Sequence, residues 1–366
     1  METKMIRAAI AAISVAAATP SYADATALSV SLSGDTFTVS VPANSYDDTS
    51  KLYLVWGTCD CGEKISAWPL ANRLAYNGAI SSAAATYQFS AEGIPAGSVV
   101  RAIVTSDVRL IDSWVKLAGN QYIDTGIVDS SAFGVDFKFR PTGQSTGSMY
   151  ASVIGSGSDQ FTIGMYNSYV NYYLRYGGNG ASNQGDPYNP AFVLTDQTIP
   201  HVIRIFGGIS YLDGVVQNNK LASGTQAKKC GGAVAASGHT ILLGTTWSRG
   251  SGTTSLSGRY CHGEWHYAKV FDSNGYDMLH LVPAIRGNAS SPEGVFYDKV
   301  TETVFANAGS GALGYDTSAN VTETISFTTA CSAAFPMSMT AYWTGLGNLA
   351  NVNDPANWAC TNAAGA

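Results

Sequence analysis

The chain has 366 residues, a formal net charge of −6 and only 13% charged residues, whereas glycine (39 residues) and tyrosine (20 residues) are abundant. This length leaves room for about two to three domains. Few charges and many glycines favour short strands joined by tight turns over long surface helices, so we expect an all-β protein. A mild acidity without a basic cluster argues against nucleic acid or an anionic membrane as a partner.

Residues 1–23 have the pattern of a secretory signal peptide. Lys4 and Arg7 form a basic start, an apolar alanine-rich run follows, and Ser21 and Ala23 are small residues at the two positions of a cleavage site. No later run approaches the roughly 20 apolar residues that a transmembrane helix needs. We therefore expect an exported protein, secreted or at the cell surface, without membrane insertion.

Residues 24–109 alternate apolar and polar side chains with the period of half-buried strands. The clearest runs are Leu28, Val30 and Leu32, then Phe37, Val39 and Val41. About six such strands with regular turns predict a small immunoglobulin-like or fibronectin-like β-sandwich. A short helical piece is expected around residues 65–72, and residues 110–116 look like a connector.

Residues 110–316 form the largest predicted unit, with longer and more regular strand signals. Asp213-Gly214 between apolar runs predicts a tight hairpin. Twelve or more strands without a convincing helix predict two large antiparallel sheets packed face to face.

Several motifs in this unit occur in a recognisable order. They are residues 121–126 (QYIDTG), 174–177 (LRYG), 269–272 (KVFD), 281–284 (LVPA), 296–301 (FYDKVT) and 307–309 (NAG). Together they resemble the LamG-like, concanavalin A-like jelly-roll domains of exported bacterial and phage-associated proteins. The resemblance implies a curved jelly-roll β-sandwich and, for many relatives, binding of carbohydrate or protein.

Residues 317–366 are interpreted as a linker and the start of a further repeat. Thr322 to Thr328 reads as one more strand, and residues 342–345 (YWTG) and 354–358 (DPANW) resemble the opening of a repeat in large surface proteins. So short a piece with few apolar residues is not expected to bury a core by itself, which suggests a truncated sequence.

Six cysteines in an exported chain make disulfides possible. Each predicted region holds two, so we expect pairing within regions: Cys59 with Cys61, Cys230 with Cys261, and Cys331 with Cys360. A bridge across Cys59-Asp60-Cys61 would close a strained ring, and free thiols are an equal alternative there.

A glycan site needs exposed aromatic faces accompanied by hydrogen-bonding side chains. Aromatic and hydrogen-bonding side chains occur together in the segment from Tyr166 to Tyr176, and again at Trp247 and Arg249. The candidate ligand-binding residues are Tyr169, Tyr172, Tyr173, Arg175, Trp247 and Arg249. At Tyr172-Tyr173 one of the two rings must face away from the core, because neighbours in a strand point to opposite sides.

Calcium is the one cofactor that the sequence suggests. Asp272, Asn274 and Asp277 form an oxygen-rich turn that suits calcium, although Asp-x-Asn-Gly is also an ordinary hairpin loop. Asp124 and Asp298 are alternatives, but their motif positions predict that they hold turns by hydrogen bonds to the backbone.

The sequence offers little for catalysis. Glycosidases need paired carboxylates, and neither Glu264 nor Glu293 has an acidic residue two positions away. Residues 143–147 match Gly-x-Ser-x-Gly, but the next predicted element is a strand, which favours a hairpin turn. His262, Glu264 and His266 would lie too far apart along a strand for one zinc ion, so they are interpreted as a polar outer face.

We therefore expect a non-catalytic exported protein whose jelly roll binds a glycan or another surface macromolecule. A structural spacer without a ligand is the alternative, and a glycoside hydrolase is the least favoured reading. The ligand's identity and the oligomeric state stay open.

Overall fold

The structure, a computed structural model, describes residues 28–43, 49–128, 133–144, 150–157, 161–166, 171–176, 192–193, 196–206, 209–216, 238–248, 255–287, 292–337, 340–343 and 358–361. Within these residues the protein is all-β and built of large antiparallel sheets, which confirms the expected class. Its only helices there are two single turns of 3₁₀-helix, Ile65–Ala67 and Leu70–Asn72, at the predicted place. No helix in the described part is long and apolar enough to cross a membrane.

The strands, in chain order, are β1 (Ser29–Ser33), β2 (Thr36–Val41), β3 (Lys51–Gly57), β4 (Arg73–Ala75), β5 (Ala85–Ser90), β6 (Val99–Ile111), β7 (Val115–Leu117), β8 (Ile123–Val128), β9 (Phe133–Gln144), β10 (Tyr150–Gly155), β11 (Phe161–Tyr166), β12 (Asn171–Tyr176), β13 (Phe192–Val193), β14 (His201–Phe206), β15 (Ile209–Leu212), β16 (Val215–Val216), β17 (Thr240–Leu243), β18 (Cys261–Asp272), β19 (Asp277–Arg286), β20 (Glu293–Asp298), β21 (Thr303–Phe305), β22 (Gly314–Tyr315), β23 (Val321–Cys331), β24 (Phe335–Pro336), β25 (Thr340–Trp343) and β26 (Trp358–Thr361).

The N-terminal part packs two sheets against one core. A three-stranded sheet of order β1-β2-β5 lies against strands β3 and β6 of the largest sheet. Alternate residues of each strand fill the space between, among them Phe37, Val39, Leu52, Leu54 and Val104, all fully buried. This burial follows from the period-two pattern, because alternate side chains of a strand share one face.

The larger sandwich, in the region predicted as residues 110–316, also consists of two sheets packed against one core. A six-stranded sheet of order β13-β12-β11-β10-β17-β8 lies against β14, β9, β18 and β19. Phe137, Phe139 and Trp265 form the aromatic centre of the core, with ring centroids 5.6 Å and 4.7 Å from Trp265. Ile163 and Met165 close it from the six-stranded sheet.

The opening motif of the larger part is held by its closing motif. The backbone N–H of Tyr122 donates to Asn307 Oδ1 (3.0 Å), and the N–H of Ala308 donates to the carbonyl of Tyr122 (2.9 Å). A Cβ at Gly309 would lie 2.0 Å from the Asn120 carbonyl oxygen, so only glycine fits there. Residues far apart in sequence therefore close this sandwich on itself.

Strand β6 belongs to both parts of the molecule. Its first half pairs with β3 and its second half pairs with β19, both on one side. On its other side, β23 runs alongside from Val321 to Cys331, and β24 pairs with its beginning. The boundary expected between residues 109 and 110 thus lies inside β6. The strand predicted from Thr322 to Thr328 is confirmed as part of β23, which extends the same sheet.

Candidate functional site

Trp247 is the one predicted glycan-binding residue whose side chain the structure describes. The ring is half-buried, its Nε1–H donates to the Thr240 carbonyl (3.0 Å), and it stacks on His239 with centroids 5.4 Å apart. An antiparallel bridge between Trp247 and Leu256 fixes the backbone. The indole is therefore held in place with part of its surface open.

Three threonine hydroxyls lie buried in the same stretch of chain. The Oγ1 atoms of Thr240, Thr245 and Thr246 have no hydrogen-bond partner in the structure. Buried hydroxyls without a protein partner normally bind an ordered water, so these three are interpreted as internal hydration positions of the fold.

Strand β12 carries the other predicted aromatic residues. Its backbone register pairs Tyr172 with Met165, which is fully buried in the core, whereas Tyr173 and Arg175 pair with Gly164 and Thr162. Paired positions share a face of the sheet. Position 172 therefore lies on the core face, and positions 173 and 175 lie on the opposite face, where the paired residue Thr162 is also buried. The side chains of β12, together with Tyr169 and Arg249, lie outside the described residues.

The turn suggested for calcium is held by its own hydrogen bonds. Asp272 Oδ1 accepts from the backbone N–H groups of Asn274 (2.8 Å) and Tyr276 (2.9 Å), and Oδ2 accepts from Asn274 Nδ2 (3.3 Å). These bonds keep the pKa of Asp272 below its usual value. Asp277 Oδ2 faces Lys269 Nζ at 3.0 Å and His280 Nδ1 at 3.8 Å.

No group of three or more His, Cys, Asp or Glu side chains within the described ranges is arranged to hold a metal ion. The two alternative aspartates hold turns, as predicted. Asp124 accepts from the N–H of Gly126, and the buried Asp298 accepts from those of His280, Val300 and Thr301.

The polar residues of β18 have separate structural partners. The buried carboxylate of Glu264 receives a two-pronged interaction from Arg140, in which Nε donates to Oε2 at 2.7 Å and Nη2 donates to Oε1. His262 Nε2 lies 3.1 Å from the Gly119 carbonyl. A β-bulge falls at His266, where burial lowers the pKa of the ring, with a smaller contribution from Lys138.

Each glutamate considered for glycosidase chemistry is paired with an arginine. Glu264 has Arg140, and Glu293 Oε2 accepts from Arg286 Nη2 at 2.8 Å. Both carboxylates thus have structural roles in their strands.

The described cysteines carry free thiols, which corrects the predicted pairing within regions. Cys59, Cys61, Cys261 and Cys331 are all unbonded. Cys261 lies in the core of the larger sandwich, where burial raises the pKa of its thiol well above the usual value. The three-residue ring that a Cys59–Cys61 bridge would close is too short to be relaxed.

Asp60, between the first two cysteines, is tied to β6. Arg101 donates from Nε and Nη2 to its two carboxylate oxygens at 2.7 and 2.6 Å, and it also contacts the Ser332 carbonyl and Cys331 Sγ. Hydrogen bonds from Arg101 and from the Gly62 N–H hold the pKa of Asp60 at about 2. The loop of residues 59–62 is thus fixed to the sheet by a salt bridge.

A cavity of about 430 Å³ lies beside β23, at a place that no sequence pattern had indicated. Three segments line it: residues 63–66, 301–304 and 326–331. They come from distant parts of the chain and are joined by hydrogen bonds from Ser66 Oγ to Glu302 Oε2 (2.7 Å) and from the Ile65 N–H to Thr328 Oγ1 (2.9 Å).

The chain matches no protein-family model and no curated protein.

Proposed function

We propose that this chain is an exported, non-catalytic binding protein of the secreted or cell-surface kind, with a ligand site for glycan or another surface macromolecule on its larger sandwich. In the finer fold proposed, a small immunoglobulin-like sandwich precedes a LamG-like jelly roll. The motifs of residues 121–126 and 307–309 support this proposal, because hydrogen bonds between them join the beginning and the end of the larger sandwich.

The environment of Trp247 is the observation that carries the binding proposal. A half-open indole, fixed by a hydrogen bond and by stacking, gives a rigid apolar face on which a sugar ring can stack. Tyr173 and Arg175 are the second proposed contribution, because their positions on β12 lie on the face of the six-stranded sheet opposite Ile163 and Met165.

A glycan array and a polysaccharide pull-down test the proposal. The protein should begin at residue 24 and keep its whole length, because a cut at residue 110 would sever β6. We expect saturable binding to a defined glycan, weakened by Trp247→Ala and Tyr173→Ala. Leu70→Ala is the control, because Leu70 is 80% exposed and lies in the N-terminal part, outside both the proposed glycan site and the proposed calcium turn.

Calcium is part of the proposal and has its own test in the same screen. If Asp272, Asn274 and Asp277 bind calcium, a chelator should abolish glycan binding or lower the melting temperature, and Asp277→Asn should remove that sensitivity. A folded protein with the same binding and the same melting temperature in calcium and in chelator would contradict the calcium assignment.

The spacer role is the second candidate, and strand β6 favours it. A strand of 13 residues that lines the N-terminal core and pairs with β19 of the larger sandwich gives a stiff connection between the two parts. If the folded protein binds no glycan in the screen, this mechanical role replaces the binding role.

A further inference from the structure

Two free thiols lie two residues apart on the loop of residues 59–62, which follows β3. Cys59 is exposed and Cys61 is half-buried, and neither forms a disulfide. Cys61 Sγ lies 3.7 Å from the Cys59 carbonyl oxygen, and the two thiols interact with each other. Both sulfur atoms thus belong to one short loop that solvent reaches.

The backbone on both sides of Cys61 is fixed by hydrogen bonds. Arg101 donates from Nε and Nη2 to the two carboxylate oxygens of Asp60 at 2.7 and 2.6 Å, and the Gly62 N–H donates to Asp60 Oδ1 at 3.0 Å. The buried Trp68 donates from Nε1 to the Gly62 carbonyl at 2.9 Å. The loop is therefore held at Asp60 and at Gly62, and Cys61 lies between these two anchors.

Gly57, the last residue of β3, leaves space for the loop. A Cβ atom at this position would lie 3.1 Å from the Cys59 carbonyl oxygen and 3.8 Å from Cys61 Sγ, so a larger residue would press on the loop. The side chain of Cys61 also packs against a small core cluster, which consists of Val55, Ile65, Trp68 and Ile103. The two thiols therefore rest on a rigid part of the fold.

The surroundings of the two thiols do not suit a cation that needs oxygen ligands or a large set of ligands. Both carboxylate oxygens of Asp60 already bind Arg101, whereas calcium takes about six to eight oxygen ligands. Structural zinc needs a full tetrahedral set, and within the described ranges no third His, Cys, Asp or Glu completes a metal site here. The loop thus offers two sulfur ligands and no more.

We propose that Cys59 and Cys61 form a binding site for a soft monovalent cation, Cu(I), which is held between their two thiolate groups. Thiolate sulfur is a soft ligand that selects Cu(I), whereas carboxylate and carbonyl oxygens select the hard divalent cations. Cu(I) is stable with two sulfur ligands, which is the set that this loop supplies. The site lies apart from the proposed glycan and calcium sites and does not rest on the proposed function.

The short spacing of the two cysteines keeps their thiols available to a metal ion. A disulfide between Cys59 and Cys61 would close a ring that is too short to be relaxed, and a strained disulfide is easily reduced. The pair therefore resists conversion to a disulfide. A bound Cu(I) ion relieves this constraint, because it bridges the two sulfur atoms without a direct bond between them.

Titration with Cu(I) tests the proposal. Chain 24–366 with Cys230→Ser and Cys360→Ser, which lie outside the described residues, is reduced and titrated anaerobically with Cu(I) against a coloured Cu(I) chelator. We expect a single Cu(I) ion per chain. Cys59→Ser and Cys61→Ser should each weaken binding at least about a hundredfold, because one thiolate alone lacks the effective concentration that the second provides. Full affinity in either variant would overturn the proposal.

Cys331→Ser is the matched control. Cys331 is also a half-buried free thiol, and its Sγ lies 3.5 Å from Arg101 Nη1, but it belongs to β23 and not to the loop. Its replacement should leave the Cu(I) affinity and the stoichiometry unchanged. A loss of affinity as large as that of Cys61→Ser would overturn the assignment to the two loop cysteines.

Two further measurements use the unsubstituted loop and so do not depend on how the variants fold. X-ray absorption of the copper-loaded chain should show only sulfur neighbours, and a nitrogen or oxygen ligand would contradict the two-thiolate site. Mass spectrometry of the metal-free chain after exposure to air should find the peptide of residues 59–61 without an internal disulfide. A disulfide between Cys59 and Cys61 would overturn the claim that these thiols stay available to a metal.

Discussion

At the scale of single residues, the buried charges of this protein have partners. Glu264 is buried within the sheet and paired with Arg140, and His201 is held between the Asp213 carboxylate (2.7 Å) and the Asp196 carbonyl. A charge that loses its partner in such a place is costly, because no water replaces the lost interaction. These pairs therefore stabilise particular strand pairings rather than forming a reaction centre.

Replacement of Arg140 tests this view. Arg140→Met leaves the Glu264 carboxylate buried and unpaired, so the free energy of unfolding should fall by about 3 kcal/mol. Arg286→Met should lower it by less than about 1 kcal/mol, because Glu293 is more exposed and water can solvate it. Urea unfolding followed by circular dichroism measures both, and equal losses would contradict the assignment.

The pair of His201 and Asp213 predicts a pH dependence. Burial lowers the pKa of His201, but the hydrogen bond and charge of Asp213, with the Asp196 carbonyl, outweigh burial and leave that pKa raised. When the pKa of a histidine is higher in the folded than in the unfolded protein, its full contribution to stability is present below the unfolded pKa, near 6.5. This contribution is lost as the pH rises through the pKa of the folded state. The contact between His201 and Asp213 therefore stabilises the folded protein at mildly acidic pH.

Asp213→Asn should therefore destabilise the protein more at pH 5.5 than at pH 8.5, by roughly 1 kcal/mol given the partial exposure of Asp213. Asparagine tolerates the left-handed conformation of this position (φ 51°), so the backbone is preserved. Lys138 also acts on Asp213, but its charge does not change between these two pH values. The same loss at both pH values would show that the histidine does not titrate through this contact.

At the scale of strands, β6 shows what local sequence can and cannot reveal. Alternation predicts the strand from Val99 to Val104, but the polar run Thr105-Ser106-Asp107 reads as a break before a connector. In the structure this run continues the strand, because its side chains have partners elsewhere. Ser106 Oγ pairs with Ser50 Oγ (2.9 Å), and Asp107 Oδ1 accepts from Ser326 Oγ (2.5 Å).

Those partners lie 56 and 219 residues away in sequence, so no local pattern could indicate them. The cavity beside β23 was missed for the same reason, because its lining segments are distant in sequence. Turn residues such as Asp124 and Asp298 were predicted correctly, because their hydrogen bonds are mostly local. Predictions of ligand residues on β12 were reached from composition alone and stay predictions.

The shared strand makes a prediction about fragments. A fragment of residues 110–316 loses Val108 and Phe327, which pack on Ala284, Val295 and Val304. Its melting temperature should be about 10 °C below that of residues 28–337, and it should bind a hydrophobic dye. If the two fragments melt at the same temperature without dye binding, the larger sandwich is independent of β6 and β23.

At the scale of the whole molecule, two sandwich cores share one continuous sheet. This architecture gives a rigid support, on which a few side chains such as Trp247 are fixed before any ligand arrives. Preorganised aromatic surfaces bind with less loss of side-chain entropy than mobile ones. The binding proposal therefore depends on this one fixed indole more than on the area of any surface.

The most direct measurement is the affinity of chain 24–366 for the best glycan of the array, compared with its Trp247→Ala and Leu70→Ala variants by isothermal titration calorimetry. We expect Trp247→Ala to weaken binding at least about tenfold, which corresponds to the loss of about 1.4 kcal/mol from one stacked ring, while Leu70→Ala, at an 80% exposed position, retains the full affinity. Unchanged affinity in a folded Trp247→Ala variant would contradict the assignment of this site to ligand binding.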